Sequence, residues 1–319
     1  MTASLPPDIR QVFDSFITTE YTTIDAQGQP ITWPVTPYHH AEESCIDVTT
    51  GLGYPKKAWD ARANPKVGLL FSDPNGSGLD APPMVLVQGI ARVDDQDLDH
   101  NRERYSEESV AKLPATKSMQ PPKLLQRAFG WYYTRIYVHV RPERVYVWPH
   151  GDATVEPQLL DSHMEEVRSG HDEEPEAPPP PPEGSGPVWD ERMDELGRRY
   201  PTAVLSLVAP DGFPFSARVP IEVDRSEKLV RIGSGVLGLP ALPGLACLAA
   251  HDHAPDFTWQ RNFQIRGDLL ERDGEWVLSP RKLVGGFELP PGSFLSRYRL
   301  NAKKIKRYRK IAKRELAKR

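Results

Sequence analysis

The sequence predicts a mainly β chain with helices (α+β), organised as two tandem, related domains. Three observations lead there. Apolar residues fall into short runs of strand length, many of them alternating, set off by Gly, Pro, Asn and Asp. A strand–turn–strand signature in the first half returns in the second half with its parts in the same order. Between the halves lies a stretch of acids and prolines that cannot bury enough apolar surface to offset its ordering entropy. A length of 319 residues suits two domains, each able to bury a core of its own.

In the first half, residues 20–25 (EYTTID) make a short strand, and Ala26, Gln27, Gly28, Gln29 and Pro30 supply the turn. Residues 31–38 (ITWPVTPY) alternate as a second strand, whose prolines assign it to an edge or to an irregular course. Residues 44–49 make a third strand. Residues 55–63 (PKKAWDARA) read as a short helix stopped by Asn64-Pro65. Residues 66–72 (KVGLLFS) and 84–93 (MVLVQGIARV) are the fourth and fifth strands, with Gly89 at a bulge. Residues 97–113 fit a helix, and 131–148 hold one or two final strands.

Residues 162–187 carry Glu165, Glu166, Asp172, Glu173, Glu174 and Glu176, then an unbroken run of prolines from Pro178 to Pro182. Such a run favours an extended, semi-rigid spacer. Beyond it, residues 203–209 (AVLSLVA), Asp211-Gly212-Phe213-Pro214 and residues 215–223 (FSARVPIEV) repeat the first hairpin. Gly28 and Pro30 match Gly212 and Pro214 at one constant offset. Residues 248–255 (LAAHDHAP) and 262–269 (NFQIRGDL) repeat 70–74 and 85–91, which aligns Gln88-Gly89 with Arg266-Gly267. The expected divisions are a first domain at 1–160, a linker at 161–187, a second domain at 188–296 and a basic, helical tail at 297–319.

The net charge of −4 hides an asymmetry. Residues 297–319 hold twelve Lys or Arg and one acid, Glu315, while the rest of the chain carries a net −15. An acidic body with a basic tail argues against nucleic acid or an anionic membrane as partner. Within the tail, Ile305, Tyr308, Ala312 and Leu316 recur every three or four residues as a weakly apolar helical stripe. Two readings stand for it: docking on the acidic surface of the chain itself or of a partner subunit, or a frayed, solvated end. Cys45 and Cys247 each lie in an apolar run, which speaks for a reducing compartment and against a disulfide framework. No basic-then-apolar segment opens the chain and no long apolar run interrupts it, so a cytoplasmic protein is expected.

Taken in order, DAQGQP (25–30), VTT (48–50), KKAWDARANPKVGLLF (56–71) and VQGIARV (87–93) resemble the pyridoxamine 5′-phosphate oxidase-like, FMN-binding split-barrel superfamily, which includes coenzyme F420-dependent reductases. The resemblance covers roughly residues 10–150. It implies two tandem split β-barrels, the second degenerate, with a flavin or deazaflavin site in the first. Because flavins of this superfamily lie between two barrels, it also implies a homodimer or an internal pseudo-dimer.

The residues themselves point to a phosphate cradle. Thr49 and Thr50 offer hydroxyls at a strand end, and Gly51 and Gly53 allow close backbone approach. Lys56 and Lys57 stand at the start of a helix, where free N–H groups favour an anion. The corresponding stretch of the second half, residues 233–244, has glycines but no lysine, so at most one cofactor per chain is expected. By the resemblance, Gln88 stands where some relatives contact the flavin. Trp33 is a candidate wall of the ring pocket, and Arg135 a candidate contact from a late strand. His39-His40 and His251-Asp252-His253 complete no metal-ligand spacing with a Cys or a carboxylate, so packing or surface roles and no metal are expected. No catalytic residue is named, because a cofactor would carry the hard chemistry. The expected function is hydride transfer between FMN or coenzyme F420 and a small organic substrate. The alternative is a non-catalytic protein that binds or senses flavin or heme.

Overall fold

A computed structural model of the chain describes residues 5–119, 126, 129–160, 187–233, 243–286, 288 and 294–319. The linker at 161–186 and most of the second half's cradle counterpart, 234–242, lie outside the described residues.

The chain opens with α1 (Pro7–Ser15), where proline takes the first turn that has no N–H to satisfy, and Ile9, Val12 and Phe13 are buried. The first hairpin pairs β1 (Thr19–Ile24) with β2 (Pro30–Val35). Asp25 Oδ1 accepts from the Gln27 and Gln29 N–H groups, and Gly28 takes φ +75°. The run expected at 31–38 breaks after Val35 and resumes as the short β3 (Tyr38–His40). Its prolines place β2 at the end of the sheet, as they require. Next come β4 (Cys45–Gly51), α2 (Lys56–Ala63), β5 (Lys66–Phe71), β6 (Met84–Asp94) and α3 (Leu98–Lys112). Where one or two strands were expected at 131–148, a single helical turn α4 (Gly130–Tyr133) feeds one long strand, β7 (Arg135–Trp148). The short β8 (Gln158–Leu160) pairs with β7.

The second half contains α5 (Glu191–Arg199), β9 (Thr202–Val208), β10 (Pro214–Asp224), β11 (Leu229–Ile232), β12 (Gly244–His253), β13 (Gln260–Arg272) and β14 (Glu275–Gly285). The tail forms α6 (Phe294–Leu316). No helix among the described residues is long and apolar enough to cross a membrane.

Strand order establishes the duplication. The first sheet runs β2-β1-β5-β6-β7-β4-β3, and the second runs β10-β9-β12-β13-β14-β11 and closes into a barrel. Removing β3 makes the two orders identical. The bulges match as well: the register shifts at Gln88/Gly89 and again at Arg266/Gly267, each opposite a proline, Pro142 and Pro280. A Cβ on Gly89 would lie 2.5 Å from the Arg141 carbonyl oxygen, so only glycine fits this crossing. The copies differ between their fifth and sixth strands. The first inserts α3 and α4 there, whereas the second turns tightly on Asp273 and Gly274, both at positive φ.

The two sheets pack about an approximate twofold. Thr22 pairs with Thr32 across β1–β2, and Ser206 with Ser216 across β9–β10. All four hydroxyls meet: Thr32 reaches Ser206 at 2.7 Å and Thr22 reaches Ser216 at 3.1 Å, one contact the image of the other. Around this buried network Leu70, Leu86 and Trp148 of the first domain share one apolar core with Leu205, Phe215 and Leu248 of the second. The first barrel keeps a separate core of its own, built on Phe13, Val48, Leu69 and Val138.

Candidate functional site

The structure divides the sequence-derived cradle. Successive side chains of a strand face opposite ways, so Thr49 and Thr50 cannot serve one phosphate. Thr49 lies opposite Tyr137 and Gly51 opposite Arg135, which puts Thr49 and Arg135 on one face of the sheet. Thr50 lies opposite Ile136, is buried, and donates its hydroxyl to the Tyr54 carbonyl at 2.8 Å. Lys56 is exposed and engaged: its ammonium donates to both Asp60 oxygens at 2.8 and 2.9 Å, with Asp25 at 3.7 Å. Gln88 is buried between the domains, donating to the Pro214 carbonyl at 2.9 Å. Trp33 sits on β2, at the far end of the sheet from β4, against Gly286 of the second half. Of the six residues, Lys57 and Thr49 stay with Arg135; Thr50, Lys56, Gln88 and Trp33 do not.

What forms instead is a cationic centre in an aromatic cage. Arg135 is buried at the start of β7 and donates to the Tyr54 hydroxyl at 2.9 Å and the Tyr105 hydroxyl at 2.6 Å. Its guanidinium carbon lies 4.0 Å from the Tyr105 ring centre and 4.3 Å from that of Tyr132, within cation–π range. Its Nε is buried and has no acceptor among the described residues. Lys57, partly buried, holds its ammonium 5.6 Å from the Tyr54 ring centre. Burial, and after it the Arg135 charge, lowers the Lys57 pKa to about 8. Among the described residues neither cation has a carboxylate within 4 Å. Burial also pushes the Tyr54 and Tyr105 phenols up, so both stay protonated. Tyr54 accepts from Arg135 and keeps its own proton to donate.

Two positive charges, a buried N–H without an acceptor and a phenol donor form a donor set that fits a phosphate or another compact anion. The second copy has no counterpart for Arg135, because the tight turn at Asp273 and Gly274 occupies that place. Arg135 follows the run Trp131-Tyr132-Tyr133, the sequence signal that marks an aromatic cage; Tyr105, brought in by α3, has no local signal.

Helix α6 lies across the loop that leads into α2. A Cβ on Gly53 would lie 2.8 Å from Cβ of Tyr308, and one on Gly51 would lie 2.8 Å from the Tyr54 ring. These glycines therefore admit the protein's own aromatic residues. Tyr308 stacks on Trp131 at 5.5 Å and meets Tyr54 edge-on at 5.3 Å.

No protein-family model matches the sequence, and no curated protein matches it. Solved structures similar to part of the chain include a protein related to general stress protein 26 (pyridoxinephosphate oxidase family) from Clostridium acetobutylicum. It is 11% identical, with a TM-score of 0.34, and the match covers 48% of this chain and 91% of that one. An F420 reductase is 18% identical at a TM-score of 0.33, over 44% of this chain and 98% of its own. HutZ, the heme storage protein from Vibrio cholerae, is 14% identical at a TM-score of 0.33, over 46% of this chain and 95% of its own. Each match spans about one of the two domains in length.

Proposed function

We propose that the chain binds a phosphorylated flavin or deazaflavin, FMN or coenzyme F420, at Arg135 and Lys57, and that it is an oxidoreductase acting on a small organic substrate. The observation behind this reading is the pair of cations without carboxylate partners, set in a wall of tyrosines. The ordered motifs of residues 25–93 support it, since they resemble a superfamily whose members hold flavins. When bound, such a cofactor supplies hydride transfer. The residues of this chain do the rest. Lys57 and Arg135 neutralise the phosphate, and the Tyr54 hydroxyl donates to it. The stacked Trp131 and Tyr308 keep water from that side. The second domain packs on Gln88 and Trp33, away from Arg135, so the wall beside this site comes from the tail helix α6 through Tyr308.

A second reading, retention of the cofactor without turnover, is favoured by one observation: α6 packs directly on the loop at Gly53, which narrows access for a second reactant. The absorption spectrum of freshly purified protein, followed by titration with FMN, coenzyme F420 and heme, tests both. One flavin or deazaflavin per chain, reduced or oxidised by a second substrate, is the expected result. Stoichiometric retention without turnover selects the second reading. Failure to bind either cofactor, or binding of heme alone, overturns the proposal.

A further inference from the structure

A second polar cluster lies at the domain interface, apart from the Arg135 cage. His251 and His253 stand two apart on β12, so their side chains share one face, and their rings are nearly parallel, with centres 6.3 Å apart. Asp73, just past the end of β5, reaches between them from the other domain. Its Oδ2 lies 3.4 Å from His253 Nε2 and 3.8 Å from His251 Nδ1, and the three ligand atoms all fall within 4.8 Å of one another.

The outer partners set which nitrogens are bare. His253 Nδ1 lies 2.9 Å from the Ala254 carbonyl, which can only accept, so that nitrogen carries the proton and Nε2 keeps its lone pair. His251 Nε2 lies 2.6 Å from Glu20 Oε1, which likewise places its proton on Nε2 and leaves Nδ1 bare. Among the described residues, His251 Nδ1 is buried without a hydrogen-bond partner. The remaining neighbour of His253 Nε2 is the Thr18 hydroxyl at 3.3 Å. Arg218 Nη2 also lies 3.0 Å from His251 Nε2, but it donates to Glu20 Oε1 at 3.0 Å, and the shorter contact of His251 with that carboxylate keeps the proton on Nε2; Arg218 Nε donates to Ser72 at 3.0 Å. Its charge is matched by Glu20, and Asp73 is left facing the two bare nitrogens.

We propose that Asp73, His251 and His253 form a zinc site between the domains, with Glu20 as the carboxylate that orients His251. Ligands about 2.0–2.1 Å from zinc in a tetrahedron sit roughly 3.3 Å apart, close to the 3.4 and 3.8 Å separations seen here. Two imidazoles and one carboxylate suit zinc better than magnesium or calcium, which take oxygen ligands. A histidine ligand that gives its other N–H to a carboxylate or backbone carbonyl is the usual outer arrangement, and both histidines have it. The Asp73 side chain, 20% exposed, leaves a way in and a fourth position for solvent. The cluster of Cys45, Asp47 and His139 is the weaker candidate. Arg104 already holds Asp47 at 2.6 Å, and burial followed by the Asp47 charge pushes the Cys45 thiol up to about 12, against the thiolate a metal needs.

Equilibrium dialysis of the full chain against zinc, with bound metal measured by elemental analysis, tests the site. The expected result is one zinc per chain, lost in Asp73→Asn and His253→Gln, kept in Asp252→Asn and Cys45→Ser, and weakened about 10–100-fold in Glu20→Gln. Cobalt substitution of the wild type gives a readout independent of whether the variants fold: intense visible bands of a four-coordinate ion are expected. Absence of stoichiometric zinc, octahedral cobalt bands, retention by folded Asp73→Asn or His253→Gln, or loss in Cys45→Ser would each overturn the proposal.

Discussion

At the scale of single residues, adjacent lysines at one helix start have opposite fates. Lys56 spends its charge on Asp60 and Asp25, whereas Lys57 turns toward Arg135 and, among the described residues, meets no carboxylate within 4 Å. The sequence holds one sign of this, because Asp60 stands four residues after Lys56 and Ala61 four after Lys57; the rest of the separation comes from where one helical residue's rotation points each side chain. It carries a prediction. Lys57→Ala should weaken flavin or deazaflavin affinity at least about tenfold, roughly 1.4 kcal/mol, and Lys56→Ala should leave it within about twofold. The pH dependence follows from the same geometry. Lys57 has its pKa lowered to about 8, so it is charged below that value and loses its charge as pH rises through it. Anion affinity should therefore be full near pH 7 and fall between pH 8 and 10. A bound phosphate, by favouring the ammonium, moves the fall upward. Fluorescence titrations across that range check it, and in Lys57→Ala this part of the pH dependence should disappear. An unchanged profile in the variant would assign the titration to another group.

At the scale of elements, α6 shows what a periodic pattern can and cannot tell. The stripe expected on Ile305, Tyr308, Ala312 and Leu316 is buried at Ile305 and Ala312 and partly buried at Tyr308, but Leu316 is 55% exposed. Glu315 is buried in its stead, accepting from the Trp59 indole at 3.2 Å and from Lys318 at 2.7 Å. At 100° per residue, positions 315 and 316 lie almost equally near the stripe, so the choice is made by Trp59, which α2 presents. The docking is also less electrostatic than the tail's charge suggests. Most of its Lys and Arg face solvent, and its clearest ion pair to the body is Arg319 with Asp95. We expect Ile305→Ala to cost about 2 kcal/mol and Leu316→Ala under about 0.5 kcal/mol in urea unfolding. Hydrogen exchange around residues 305–312 should stay slow at high salt, with only the last turn loosening as Arg319 is screened. Salt-induced exchange of the whole helix would show that charge, and not the apolar stripe, holds it.

At the scale of the molecule, the duplication was legible because its anchors are backbone requirements. Gly28 and Gly212 take positive φ in matching turns, and Gly89 and Gly267 sit where a side chain would strike a carbonyl. Hidden in the sequence were features made by distant residues: the Arg135 cage needs Tyr105 from α3, and the His251–His253 pair meets an aspartate 178 positions earlier. The interface is of the same kind. Thr22, Thr32, Ser206 and Ser216 read as ordinary alternating strand residues, yet these buried hydroxyls bond across the interface, and if the halves parted without water each would keep only its partner in its own half, Thr22 with Thr32 and Ser206 with Ser216. Water could satisfy those hydroxyls, but not Leu86, Trp148, Phe215 and Leu248, which lie in one shared core. The covalent connection should therefore contribute little to holding the domains together once they have folded. A chain carrying a protease site within residues 161–186 should, after cleavage, elute from gel filtration as one species and unfold in one cooperative calorimetric transition. Two separated peaks, or two transitions that resolve only after cleavage, would show that the shared core is too weak to join the domains and that the linker holds them together by keeping their effective concentration high.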